Sequence, residues 1–166
     1  MLINKGPYDN SIDKIIENNY EHIYRYIYCF VKNRDIAQDI TQDVFLKFFK
    51  NIDGYIESGK LKNYLYVIAK NCVKDYFKKQ KNISFDELSN EVGYSNKMEK
   101  IEDKMIVMDA IDSLKPIEKD IIVLKYFGQL KNKEIANIYG KPVSTVRYIL
   151  KRAEKNLRKR VVSNEL

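Results

Sequence analysis

In the segment DIAQDITQDVFLKFF, residues 35–49, the side chains of Ile36, Ile40, Val44 and Phe48 recur every fourth position, with Ala37, Thr41 and Phe45 beside them. A helix turns about 100° per residue, so this spacing lays all seven along one stripe; a strand, with its period of two, would not. The same three- and four-residue recurrence carries Ile12, Ile15, Ile16, Ile23, Ile27 and Phe30. It returns near the C-terminus in Val146, Ile149, Leu150, Ala153 and Leu157. Alternating runs of Val, Ile and Thr are nearly missing, and three prolines and six glycines leave few breaks. The pattern predicts an all-α chain.

The breaks divide that chain. Helices are expected over 12–31, 35–50 and about 60–79, with KNR as the first joint and NIDGYIESG, interrupted by Gly54, Ser58 and Gly59, as the second. Residues 82–103 lose clear periodicity and gather Asn, Ser and Gly, the composition of a flexible linker. Four more helices are expected after it, in MIVMDAIDSL, KPIEKDIIVLKYF, NKEIANIYG and PVSTVRYILKRAEKNLRKRV. The expectation is therefore two small helical domains, 1–81 and 104–166, joined by 82–103. At 166 residues and 45% apolar content each can bury a modest core.

The net charge of +7 is distributed in blocks. Residues 60–81 hold seven basic side chains against one acidic, and 141–160 hold eight against one, while 82–103 hold two against six. Basic blocks on ordered helices point to a polyanion partner, although a solvated lysine-rich surface would look the same. Enzyme chemistry finds little support. Cys29 and Cys72 have no CxxC spacing and fall in apolar helical patterns, so both read as reduced core residues. The single histidine, His22, has no evident nucleophile to serve. No apolar run approaches a membrane span and the N-terminus lacks a signal-peptide core, which makes a cytoplasmic protein the expectation.

In NKEIANIYGKPVSTVRYIL, Gly140 suits the left-handed stop of one helix and Pro142 the start of the next, which defines a helix-turn-helix. With Val146, Ile149, Leu150 and Ala153 turned inward, Ser144, Thr145, Arg147, Tyr148, Lys151 and Arg152 remain outside. That is what a recognition helix needs: its first turns meet base edges in the major groove and its later cations meet phosphate. A helical hairpin with a basic exterior is the plainer alternative.

The acids of residues 35–49 lie off the apolar stripe. Asp35 falls at the helix start, as an N-cap or first-turn acid. Asp39, Gln42 and Asp43 share the opposite face with Leu46 and Phe49, and two large apolar residues among acids make an interaction patch rather than a solvated face. A metal reading of D-x3-D-x3-D would need further ligands from elsewhere. In the third helix Leu65, Ile68, Ala69, Cys72 and Tyr76 face inward. Lys60, Asn63, Lys70, Asn71, Lys74 and Lys78 gather on another side, with Tyr64 and Tyr66 interleaved. Cations beside aromatic rings suit unpaired DNA, whose phosphates meet the ammonium groups while its bases stack.

These residues resemble the bacterial RNA polymerase sigma factors of the small, two-domain extracytoplasmic-function type, over nearly everything from residue 12 to 161. DIAQDITQDVFLKFF looks like the family helix that docks on the clamp-helix coiled coil of the largest polymerase subunit, which implies a core-polymerase surface at Asp39, Gln42, Asp43, Leu46 and Phe49. LKNYLYVIAKNCVKDYFKKQK is similar to the segment that melts and captures the −10 element. The usual W-L-x-x-I-A-x-N appears as Tyr64, Leu65, Ile68, Ala69 and Asn71, with tyrosine in place of tryptophan, and the loop at 54–60 corresponds to the one that pockets a flipped base. EIANIYGKPVSTVRYILKRAEKNLRK looks like the −35-binding helix-turn-helix, with Ser144 where glycine is common.

The resemblance implies a non-enzymatic initiation factor with no cofactor, partnered by core RNA polymerase and promoter DNA, open to an anti-sigma factor, and monomeric outside the holoenzyme. No additional domain is expected between residues 81 and 104. A stand-alone helix-turn-helix regulator and a small metal-dependent helical enzyme stay open as other readings of the same residues.

Overall fold

The computed structural model describes residues 9–52, 60–83 and 101–164, with side chains described for 12–52, 60–81 and 105–163. Among them are seven α-helices and no strand, as the apolar spacing predicts. The chain divides into two compact units, Met1–Lys79 and Gln80–Leu166. The residues between the described segments include most of the expected linker and all of the expected base-pocketing loop except Lys60.

The first unit is built from α1 (Asp9–Val31), α2 (Arg34–Lys50) and α3 (Leu61–Ile83). The KNR joint works through its backbone. Lys32 takes a left-handed φ of 52° as its N–H bonds the Tyr28 carbonyl, and Asn33 then caps α2 by accepting the Ile36 N–H at 3.1 Å. Asp35 is thus a first-turn acid rather than the cap, favoured there by the positive end of the helix dipole. Six of the seven residues of the α2 stripe are buried as expected, Ala37, Ile40, Thr41, Val44, Phe45 and Phe48, while Ile36 in the first turn is half-buried; the Thr41 hydroxyl satisfies itself on the Ala37 carbonyl at 2.6 Å. Aromatic rings tie the three helices together. Tyr20 of α1 stacks on Phe45 at 6.0 Å, Tyr26 meets Tyr66 of α3 edge-on at 5.4 Å, and Phe48 meets Tyr64 at 5.8 Å.

The second unit comprises α4 (Ile101–Asp112), α5 (Pro116–Tyr126), α6 (Asn132–Tyr139) and α7 (Val143–Asn164). Helix α5 carries four consecutive buried apolar residues, Ile121, Ile122, Val123 and Leu124, directly after the buried Asp120, because α4, α6 and α7 each pack against it. A helix apolar on every side is a central one. Pro116 stands in its first turn, and the Glu118 and Glu134 carboxylates reach back to accept the Lys115 and Lys131 N–H groups at the starts of α5 and α6. Several boundaries extend past the expected ones: α1 begins at Asp9, α3 continues to Ile83, α4 starts at Ile101, inside the expected linker, and α7 continues to Asn164. Polar residues such as Asn and Lys continue a helix without adding to its apolar stripe, so the periodicity stops before the helix does.

Tyr139, at the end of α6, donates its hydroxyl to Asp120 of α5. Burial first, and then the Asp120 charge, push the Tyr139 hydroxyl well above the ordinary tyrosine pKa. A folded-state pKa raised in this way gives stability that is present below the unfolded value of about 10 and is lost as the pH rises beyond it. Urea unfolding should therefore show wild-type stability falling steeply above that pH. Tyr139→Phe should cost about 1.5–3 kcal/mol at neutral pH, through the loss of a charge-assisted bond to a buried carboxylate, and should flatten the alkaline fall.

Candidate functional surfaces

Helix α2 presents Asp39, Gln42, Asp43 and Leu46 to solvent, and Leu46 is 57% exposed. Phe49 is half-buried: its ring leans on Phe48 at 5.3 Å and Phe45 at 6.4 Å, so one face backs the core and the other edges the patch. The result is an apolar knob bordered by two carboxylates and an amide, carried on a helix whose other face is fully packed. Such a surface can bury apolar area and accept hydrogen bonds from a basic partner. On its flank Lys47 donates to the Cys72 Sγ of α3 at 3.4 Å. Burial pushes the Cys72 thiol above its usual range, opposed by Lys47. Among the described residues no three His, Cys, Asp or Glu side chains converge as metal ligands would, so the three aspartates of α2 form no such cluster.

Lys60, just before α3, and Asn71, Lys74 and Lys78 on it are exposed, and Asn63, Tyr64 and Lys70 are half-buried. The cations follow one side of the helix, and Lys81 continues the row. Tyr64 rests against Phe48, which fixes the ring at the edge of this side. Tyr66 does not belong to it. The sequence suggests two interleaved tyrosines, yet Tyr66 is 1% exposed and packs with Tyr26. The signal was available in the spacing: Tyr66 stands three and seven residues before Ala69 and Val73, both buried, and so lies on the core stripe. The loop at 54–60, apart from Lys60, lies outside the described residues.

In the second unit α6 ends on Gly140, whose φ of 59° and ψ of 33° are left-handed, with its N–H on the carbonyls of Ala136 and Asn137. The chain turns at once into α7, where the Pro142 carbonyl accepts the Thr145 and Val146 N–H groups. Val146, Ile149, Leu150 and Ala153 pack inward, so Ser144, Arg147, Tyr148 and Lys151 stand out while Thr145 is half-buried. Arg152 departs from the expected outward row. Its Nε donates to Glu118 Oε1 at 2.5 Å, and its guanidinium lies 5.6 Å from the centre of the Tyr148 ring. The Glu118 bond pushes the guanidinium pKa further up. Glu118, 1% exposed, was not foreseen as part of this surface, because its partner is 34 residues away and local spacing carries no trace of the pair.

Two family descriptions match the chain in order: sigma-70 region 2 over residues 15–83 and sigma-70 region 4 over residues 104–157. The chain belongs to the sigma-70 family of sigma factors. The region 2 match takes in α2 and α3 with their two outward faces, and the region 4 match takes in the helix-turn-helix. RNA polymerase sigma factor SigV of Bacillus subtilis is 33% identical over 107 residues, a stretch that spans 64% of this chain and 64% of that relative. Two solved structures share the fold. The sigma factor RpoE of Bartonella quintana, in complex with the anti-sigma factor NepR, superposes with a TM-score of 0.75 at 17% identity, covering 92% of this chain and 97% of that one. CnrH, in complex with the cytosolic domain of CnrY, superposes at 0.73 with 15% identity, covering 93% and 89%.

Proposed function

We propose that this chain directs core RNA polymerase to specific promoters, its first unit binding core polymerase and opening the −10 element while its second reads −35 duplex DNA. The observation that carries the reading is the presence of sigma-70 regions 2 and 4 in one chain. The apolar and acidic face of α2, the cationic side of α3 and the outward row of α7 support it. In this assignment Asp39, Gln42, Asp43, Leu46 and Phe49 meet polymerase. Lys60, Asn63, Tyr64, Lys70, Asn71, Lys74 and Lys78 meet the opened strand, and Ser144, Thr145, Arg147, Tyr148 and Lys151 meet the −35 duplex. The domains are assigned as 1–81 and 104–166, with 82–103 between them. The chain works without a catalytic group or cofactor of its own, in the cytoplasm, as a monomer outside the holoenzyme. The complex of RpoE, which has the same fold, with the anti-sigma factor NepR supports an anti-sigma partner for this chain as well.

A mobility-shift comparison tests the reading. The chain should co-purify with core polymerase, and a duplex enriched from fragments of its own genome should be retarded strongly only when core is present. Arg147→Ala should weaken that retardation about tenfold, the cost of one lost base contact of ~1–3 kcal/mol, and leave association with core unchanged. Equal retardation without core would identify a stand-alone regulator instead.

A further inference from the structure

Arg152 occupies a place on α7 where a free arginine would add a phosphate contact, yet its guanidinium is held from within the unit. The Glu118 carboxylate that takes its Nε at 2.5 Å also accepts the Lys115 backbone N–H at 3.3 Å, so it cannot turn away without uncapping α5. Glu118 is buried while the Arg152 side chain is 39% exposed, so the carboxylate end of the pair is fixed within the unit and the guanidinium reaches it from the surface. The guanidinium in turn sits 5.6 Å from the Tyr148 ring centre, inside cation–π range. Tyr148 is 63% exposed. An aromatic standing that far from its helix would otherwise lose side-chain entropy each time it was fixed against a ligand. Here a planar cation, itself anchored by a buried carboxylate, fixes it in advance.

We propose that Glu118 is a positioning residue for DNA recognition: through Arg152 it holds the Tyr148 ring on the outer face of α7, where the ring packs on a thymine methyl in the major groove. The same bond keeps Arg152 out of the set of phosphate contacts, since its charge is already matched. The proposal rests on the assignment of α7 as the −35-reading helix. It gives the Tyr148 contact a directional, apolar character and leaves the salt-dependent part of binding to Lys151 and the cations after it.

The test uses holoenzyme assembled from the full chain and core polymerase, with two short duplexes: one enriched by the wild-type holoenzyme from a randomised pool, and one scrambled from it. Discrimination between them and the slope of log affinity against log salt are both measured. Glu118→Gln keeps the side-chain shape but removes the charge. Discrimination should fall about tenfold, and the salt slope should steepen by about 0.9 as Arg152 is released to a phosphate. Arg152→Met should lower discrimination with the slope unchanged. Tyr148→Ala should do the same and show no further loss when combined with Glu118→Gln, whereas Tyr148→Phe should keep wild-type discrimination. A purely structural defect would weaken both duplexes together. An unchanged ratio in Glu118→Gln, or a slope made shallower by about 0.9 in Arg152→Met, would overturn the brace. Should Glu118→Gln fail to fold, the Arg152 and Tyr148 variants decide the matter. A wild-type holoenzyme that enriches no sequence would overturn the function and the brace with it, while enrichment without these effects would sink the brace alone.

Discussion

Phe48→Ala should destabilise the first unit by about 3–5 kcal/mol, a large part of what holds a domain of this size together. Phe48 has no exposed surface, and its ring is wedged between Phe49 at 5.3 Å and Tyr64 at 5.8 Å. Removing it leaves a cavity at the junction of α2 and α3, the two helices that present the outward faces of this unit. Both faces should weaken together, because Phe49 loses its backing on the α2 side and Tyr64 on the α3 side. Urea unfolding followed by circular dichroism measures the cost. Phe48→Leu, which refills most of the space, should cost less, and a loss below about 1 kcal/mol in the alanine variant would mean that the ring is not the keystone its burial implies.

Leu46→Asp should behave in the opposite way, leaving the fold intact while abolishing most core-polymerase binding. Leu46 lies two residues before Phe48 but points out of the helix at 57% exposure, so its replacement should change stability by no more than about 0.5 kcal/mol. In the proposed complex the same position is the apolar centre of the interface. Placing a carboxylate there buries an unpaired charge on binding, and a loss of at least about 2 kcal/mol, roughly thirtyfold in affinity, is expected. Asp39→Ala should weaken binding less and mainly through a salt-sensitive association rate, since a bordering charge orients the encounter more than it holds the complex. Surface plasmon resonance with immobilised core polymerase separates the two, and unaltered affinity in Leu46→Asp would remove α2 from the interface.

The contrast between Phe48 and Leu46 shows what a sequence makes legible. The helical period separates inward from outward residues across α2 with no structure in hand, and all six of its buried residues belong to the expected stripe. Gly140 is equally readable, because it reflects a backbone preference confined to its own position. The unreadable parts depend on residues distant in the chain. In the local sequence Tyr66 is a companion of the lysines, yet it packs on Tyr26 of α1; by spacing Arg152 is one more outward cation, yet it bonds Glu118 of α5. Local pattern leaves Asp35 as either cap or first-turn acid of α2, and the side-chain oxygen of Asn33, which reaches the Ile36 N–H, decides for the first turn. Phe49 lies between these cases, on the border where a wheel assigns a side but cannot tell how far a large ring folds back on the core.

The central claim, that this chain confers promoter choice on RNA polymerase, is tested most directly by reconstituted transcription. Core polymerase is incubated with the full chain and with fragments of its own genome, and the 5′ ends of the transcripts are mapped. Start sites should appear only when the chain is present, each at a fixed distance downstream of a shared pair of −35 and −10 sequences. Those starts should weaken with Arg147→Ala and vanish with Leu46→Asp. Transcripts whose 5′ ends are the same with and without the chain, on every fragment, would contradict it.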